Sequence, residues 1–198
     1  MAASARDDIL AALRRAAVPA APLPDLSGLG VQFADRAQQF ATALAAVAGV
    51  CLRAADRAAA QRALAELPVY RDARQMVSLV EGIGRSDVDL AAVTDPRELA
   101  DLQLAILPGE FGVAENGAVW VDGAALAHRA VFVITEHLVL VVDAAAVVDD
   151  MHEACARLET GPPRYGTFIA GPSKTADIEQ ALVIGAHGAR SLTVLLIG

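Results

Sequence analysis

Short runs rich in Val, Ile and Leu alternate along this chain with longer stretches of Ala, Leu and charge at helical spacing, and that alternation restricts the fold severely. Strand-like runs fall at residues 49–52, 104–107, 131–134, 138–142, 167–170 and 192–197. Helical spacing fills 4–17, 35–48, 54–67 and 144–158, and Pro96 opens a further helix at its first position. One or two short strands are expected within 69–80. Several of the strand runs are apolar throughout rather than alternating, as strands buried on both faces are. The pattern predicts an α/β protein: a three-layer αβα arrangement around a mostly parallel sheet. Residues 1–30 read as an N-terminal helix and a Pro-rich connection (Pro19, Pro22, Pro24), and 31–198 as a single α/β domain.

Composition narrows the function. The chain of 198 residues is 55% hydrophobic but only 4% aromatic, so its core is built from Ala, Val and Leu and its layers pack closely. The net charge of −8, without a basic run, disfavours nucleic acid and anionic lipid as partners. Cys51 and Cys155 are the two cysteines, too few for an iron–sulfur cluster, which takes about four thiolates. Glu136, His137 and Asp143 interrupt the longest apolar stretch, so no membrane span is expected. The first residues lack the layout of a signal peptide, and a cytoplasmic protein is expected.

The run Gly171-Pro172-Ser173-Lys174-Thr175-Ala176-Asp177-Ile178-Glu179 carries the chemistry, with Gly185-Ala186-His187-Gly188 close behind. It follows a strand-like run, and residues 178–184 read as one or two helical turns. A helix N-terminus presents unpaired N–H groups and a favourable dipole to an anion. Lys174 adds positive charge, and Ser173 and Thr175 add hydroxyl donors. Thr175 or Asp177 would equally serve as a plain helix cap, with Gln180 completing a capping box for Asp177. The pattern is neither a Walker A loop nor G-x-G-x-x-G.

Ligands of open parallel sheets gather at the carboxyl ends of the strands. Glu115, His137, Asp177 and His187 are the candidate acid–base groups expected near such ends. Asn116-Gly117 reads as a two-residue type I′ hairpin turn between strands ending at Glu115 and starting at Ala118. No H-x-x-H or H-E-x-x-H spacing assigns a metal, and no G-x-S-x-G elbow makes Ser173 a nucleophile.

The 171–179 run, the Gly-x-His-Gly turn and the final apolar strand together resemble the C-terminal signature of the lactate-utilisation (LUD domain, LutC/YkgG) family. Residues 111–121 resemble that family's Ala-Glu/Asp-Thr-Gly-Thr segment, with Asn116 where Thr is usual, and Arg129 with 136–139 resembles a third stretch. The likeness covers roughly residues 100 to 198. It implies the fold shared by ribose-5-phosphate isomerase, glucosamine-6-phosphate deaminase and CoA transferases. It also implies an accessory or ligand-binding subunit of a system that oxidises L-lactate to pyruvate. Such a subunit would hold a small anionic metabolite through Gly171, Ser173, Lys174, Thr175, Ala176, Asp177, Glu179, Gly188, Asn116 and Gly117. No cofactor is expected in this chain, and iron–sulfur clusters are expected only in partner subunits. A free-standing enzyme of the sugar-phosphate isomerase or CoA-transferase type is the alternative.

Overall fold

The computed structural model describes residues 4–16, 21, 22, 24, 28–124, 126–159, 165–176 and 182–198. The elements, in chain order, are α1 (Ala5–Arg15), α2 (Arg36–Ala46), β1 (Val50–Ala54), α3 (Arg57–Glu66), α4 (Pro68–Arg71) and β2 (Met76–Ser78). There follow β3 (Leu104–Pro108), β4 (Phe111–Val113), β5 (Ala118–Asp122), α5 (Val131–Ile134), β6 (His137–Asp143) and α6 (Met151–Glu159). The chain closes with β7 (Gly166–Ile169), β8 (Lys174–Ala176), β9 (Leu182–Ile184) and β10 (Ser191–Ile197).

The central sheet is parallel throughout, in the order β1-β10-β6-β3-β2. Its strands bury both faces, which is why 138–142 and 192–196 are apolar at almost every position. On one face Leu104, Ile106, Val139, Val141 and Leu195 pack against Ala60 and Leu64 of α3. On the other, Ala105, Leu107, Leu138, Leu140 and Val194 meet Phe40 and Leu44 of α2, Phe132 of α5, and Val119 and Val121 of β5. The architecture is therefore the expected three-layer α/β arrangement. A small antiparallel sheet, β4-β5-β7, completes the second outer layer. Its far side gathers Phe111, Trp120 and Phe168, with Trp120 and Phe168 ring centres 4.8 Å apart.

Local expectations fail in four places, each for a physical reason. The apolar run 131–134 is one helical turn rather than a strand, with the Ile134 N–H on the Ala130 carbonyl at 2.8 Å. Val131 and Phe132 are buried while Val133 is exposed, a spacing no strand would give; a four-residue apolar run carries too little periodicity to decide. The expected 144–158 helix is broken. Val147 and Val148 are extended and buried, Val148 bridging to Val113, and α6 starts only at Met151. The 69–80 segment does hold a short strand, β2, as expected, behind the single turn of α4. The β4–β5 connection is a four-residue loop: Val113 pairs with Ala118, and only Gly117 has positive φ, 71°. Type I′ is lost because the Ala114 and Glu115 N–H groups bond to the carbonyls of Val148 and Asp149 instead. Finally, Leu182–Ile184 is not helical. It pairs antiparallel with Lys174–Ala176, so 182–184 is a strand and not the end of the expected helix; residues 177–181 lie outside those described.

Candidate functional site

The two halves of the C-terminal motif are stitched together. The Ser173 N–H donates to the Ala189 carbonyl at 2.9 Å, and the Gly185 N–H donates to the Ser173 carbonyl at 3.0 Å. Gly188 is pressed on Ser173: a Cβ there would lie 3.0 Å from the Ser173 Cβ. Gly171 has a φ of 72° and faces the Val47 carbonyl where a side chain would begin, so its lack of a Cβ is required twice over. These contacts shape a cleft of about 250 Å³ between α5, β7 and the 187–189 turn, with Gly171, Ser173, His187 and Gly188 in its lining. A wider, more open cleft of about 650 Å³ adjoins it, sharing Val133, His187 and Gly188 and adding Thr135, Glu136 and Arg190.

The site lies at the amino edge of the parallel sheet, not at the carboxyl edge. Leu138 and Leu192, both in the lining, are the second residues of β6 and β10. Residues 185–190 lead directly into β10, so His187 reaches that strand's beginning. Here Arg190 Nη1 donates to Glu136 Oε1 at 2.8 Å, and the Arg190 N–H donates to the Glu136 carbonyl, also at 2.8 Å. His137, at the first position of β6, is likewise at the amino edge and not at a carboxyl end. Its Nδ1 lies 2.8 Å from Ser191 Oγ. Burial pushes the His137 imidazole below its ordinary value and Arg190 adds to this, against an opposing pull from Glu136. His137 opens onto a separate small cleft with Asp72 and Gln103. The structure thus unites Gly171, Ser173, His187 and Gly188, and leaves His137 beside them but facing elsewhere.

The other sequence candidates have local partners. Lys174 donates from Nζ to the Val47 carbonyl at the end of α2, satisfying a terminal carbonyl and the helix dipole at once. Thr175 and Ala176 lie in β8, paired with Val183 and Leu182. Glu115 is exposed, and its Oε2 accepts the Met151 N–H at 3.0 Å at the start of α6. Asn116 accepts the Ala118 N–H through Oδ1 at 2.9 Å, and Gly117 packs on Ala43 and Leu44. The last turns of α2 therefore touch both motif segments, Gly117 at Leu44 and Gly171 at Val47. Asp177 and Glu179 lie outside the described residues. Among the described residues no group of three or more His, Cys, Asp and Glu could hold a metal ion. No described helix is long and apolar enough to cross a membrane.

Sequence reasoning missed Arg190 and Glu136, which supply the charge beside His187. Their positions immediately before two strands were the available signal. It also missed Asp149 and Asp150, both buried. Asp149 accepts the Phe33 N–H at 3.0 Å and Arg36 Nη2 at 2.5 Å; Asp150 accepts the Val31 N–H at 3.1 Å. Arg36 holds the Asp149 carboxyl below its ordinary range.

The model of the LUD domain matches residues 77–197, a segment that contains both clefts. The chain belongs to the LUD-domain family. Among relatives of this domain, "Lactate utilization protein C" of Geobacillus thermodenitrificans is 30% identical over 121 residues, covering 58% of this chain and 47% of the relative. The protein YkgG of Escherichia coli is 27% identical over 120 residues, covering 54% of this chain and 52% of YkgG. The chain thus spans about half the length of the curated relatives it matches. A crystal structure of a DUF162 family protein from Deinococcus radiodurans superposes with a TM-score of 0.62 at 16% identity, covering 85% of this chain and 99% of that one. That likeness concerns the fold alone.

Proposed function

We propose that this chain is a ligand-binding subunit of an L-lactate utilisation system, and that it holds a small anionic metabolite beside Ser173 and His187. Support for the system comes from the relatives named Lactate utilization protein C. The site reading is carried by one observation, the convergence of 171–173 and 187–189 on a single cleft, with Glu136 and Arg190 in the cleft that adjoins it. A hydroxyl and an imidazole in one cleft, with a guanidinium in the cleft beside it, suit a carboxylate with an adjacent hydroxyl or carbonyl oxygen. His187 would exchange hydrogen bonds with that second oxygen, while Arg190, steadied by Glu136, would answer the carboxylate. Oxidising a hydroxy acid removes two electrons, and Cys51 and Cys155 fall short of the four thiolates that hold the common iron–sulfur clusters. Electron transfer is assigned to iron–sulfur partner subunits.

The test is a thermal-shift titration of the purified chain with L-lactate and pyruvate, alongside His187→Ala. Ligand binding should raise the melting temperature of the parent protein. His187→Ala should keep the unliganded melting temperature and lose the rise, because His187 is exposed. No response to either acid would refute the site. Stabilisation by a sugar phosphate or a CoA thioester instead would favour a free-standing isomerase-like or transferase-like enzyme.

A further inference from the structure

The smaller cleft is more apolar than a three-carbon acid requires. Its walls include Phe132, Leu138, Ile169 and Leu192, all part of or packed against the main hydrophobic cluster. Of its polar side chains, Ser173 and His187 come from the two motif turns and Thr167 from β7, while Val133, 59% exposed, is shared with the adjoining cleft. The charged pair Arg190–Glu136 stands in that adjoining, wider cleft. Polar head contacts and an apolar chamber are thus separate but continuous. A pocket that is mainly apolar with a few placed polar groups takes a ligand that buries apolar area and is oriented by its head. A single methyl group would leave most of those walls wet.

We infer that the acid this site takes carries a bulky apolar side chain: a 2-hydroxy or 2-oxo acid with a branched or aromatic group, its carboxylate toward Arg190, its 2-oxygen at His187 and its side chain past Val133 against Leu138 and Leu192. This rests on the hydroxy-acid reading above and adds the substrate class. Affinity should rise along the series L-lactate, 2-hydroxyisocaproate, L-phenyllactate, by about fourfold per buried methylene and by at least tenfold over the whole series. Calorimetric titration of the full chain measures this. Val133→Trp, at an exposed position, should narrow the mouth and erase the advantage of phenyllactate over lactate. Arg190→Gln should weaken all three acids by a similar factor. Lactate binding as tightly as phenyllactate, or Val133→Trp leaving the series unchanged, overturns the inference while the hydroxy-acid site survives. Loss of binding for all three acids in the parent protein overturns both.

Discussion

His137 shows how a residue can be prominent in the sequence and still serve the fold first. It begins a strand, bonds Ser191 on the neighbouring strand, and sits beside the Glu136–Arg190 pair. Burial lowers its affinity for a proton below the ordinary value of 6.5. The unfolded chain therefore binds the proton more tightly, and stability rises with pH through the interval just below 6.5. Full stability is expected above that point, with a loss as the pH falls through it. Equilibrium unfolding between pH 5 and 8 should show this slope in the parent protein and a flatter profile in His137→Gln; equal slopes would exclude His137 as the cause. Nearby, His187 was legible because glycines flank it in a turn, a setting that core histidines rarely have. The partner of Lys174 was not legible, since Val47 lies 127 residues away and nothing local announces it.

Elements were readable where periodicity ran long and unreadable where the chain changed partner within a few residues. The strands at 104–108, 137–143 and 191–197 declared themselves by unbroken apolar runs. The 144–158 stretch did not, because the chain leaves helical geometry at Val147 so that Val148 bonds Gly112 of β4, and α6 restarts behind Asp149 and Asp150. Those two aspartates fasten the segment 31–33 to the body, yet in the sequence they look like two more surface acids. Asp149→Ala would strand the Phe33 N–H and free Arg36, at a cost of about 1–3 kcal/mol for an unmet buried partner. That corresponds to roughly 2–12 °C in melting temperature for a chain of this size. The pH signature separates it from that of His137. Because Arg36 depresses the Asp149 carboxyl, its stabilisation is present above the ordinary 3.8 and is lost as the pH falls below it. Acid titration should show a drop below about pH 4 in the parent that is absent in Asp149→Ala.

At the scale of the whole molecule, the site's location follows from the order in which the chain visits the sheet. β6 and β10 lie side by side at the centre, and the segments that enter them, 130–136 and 185–190, must meet at the amino edge. The preference of parallel sheets for ligands at the carboxyl edge arises from loops that leave strands; here Glu136, His187 and Arg190 sit on segments that arrive. The N-terminal helix stands outside this plan. Ser4 and Asp7 cap α1 reciprocally, so the helix is locally sound, yet none of its residues is buried, and Ile9 and Leu13 are 61% and 63% exposed. Helices draw most of their stability in proteins from a packed face, which α1 lacks here. Removing residues 1–16 should therefore shift the unfolding free energy by no more than about 0.5 kcal/mol, the range of surface changes, and leave acid binding at the cleft unaltered. A loss of several degrees in melting temperature would mean that Ile9 and Leu13 pack on the folded body, and a change in affinity would bring α1 to the clefts around His187.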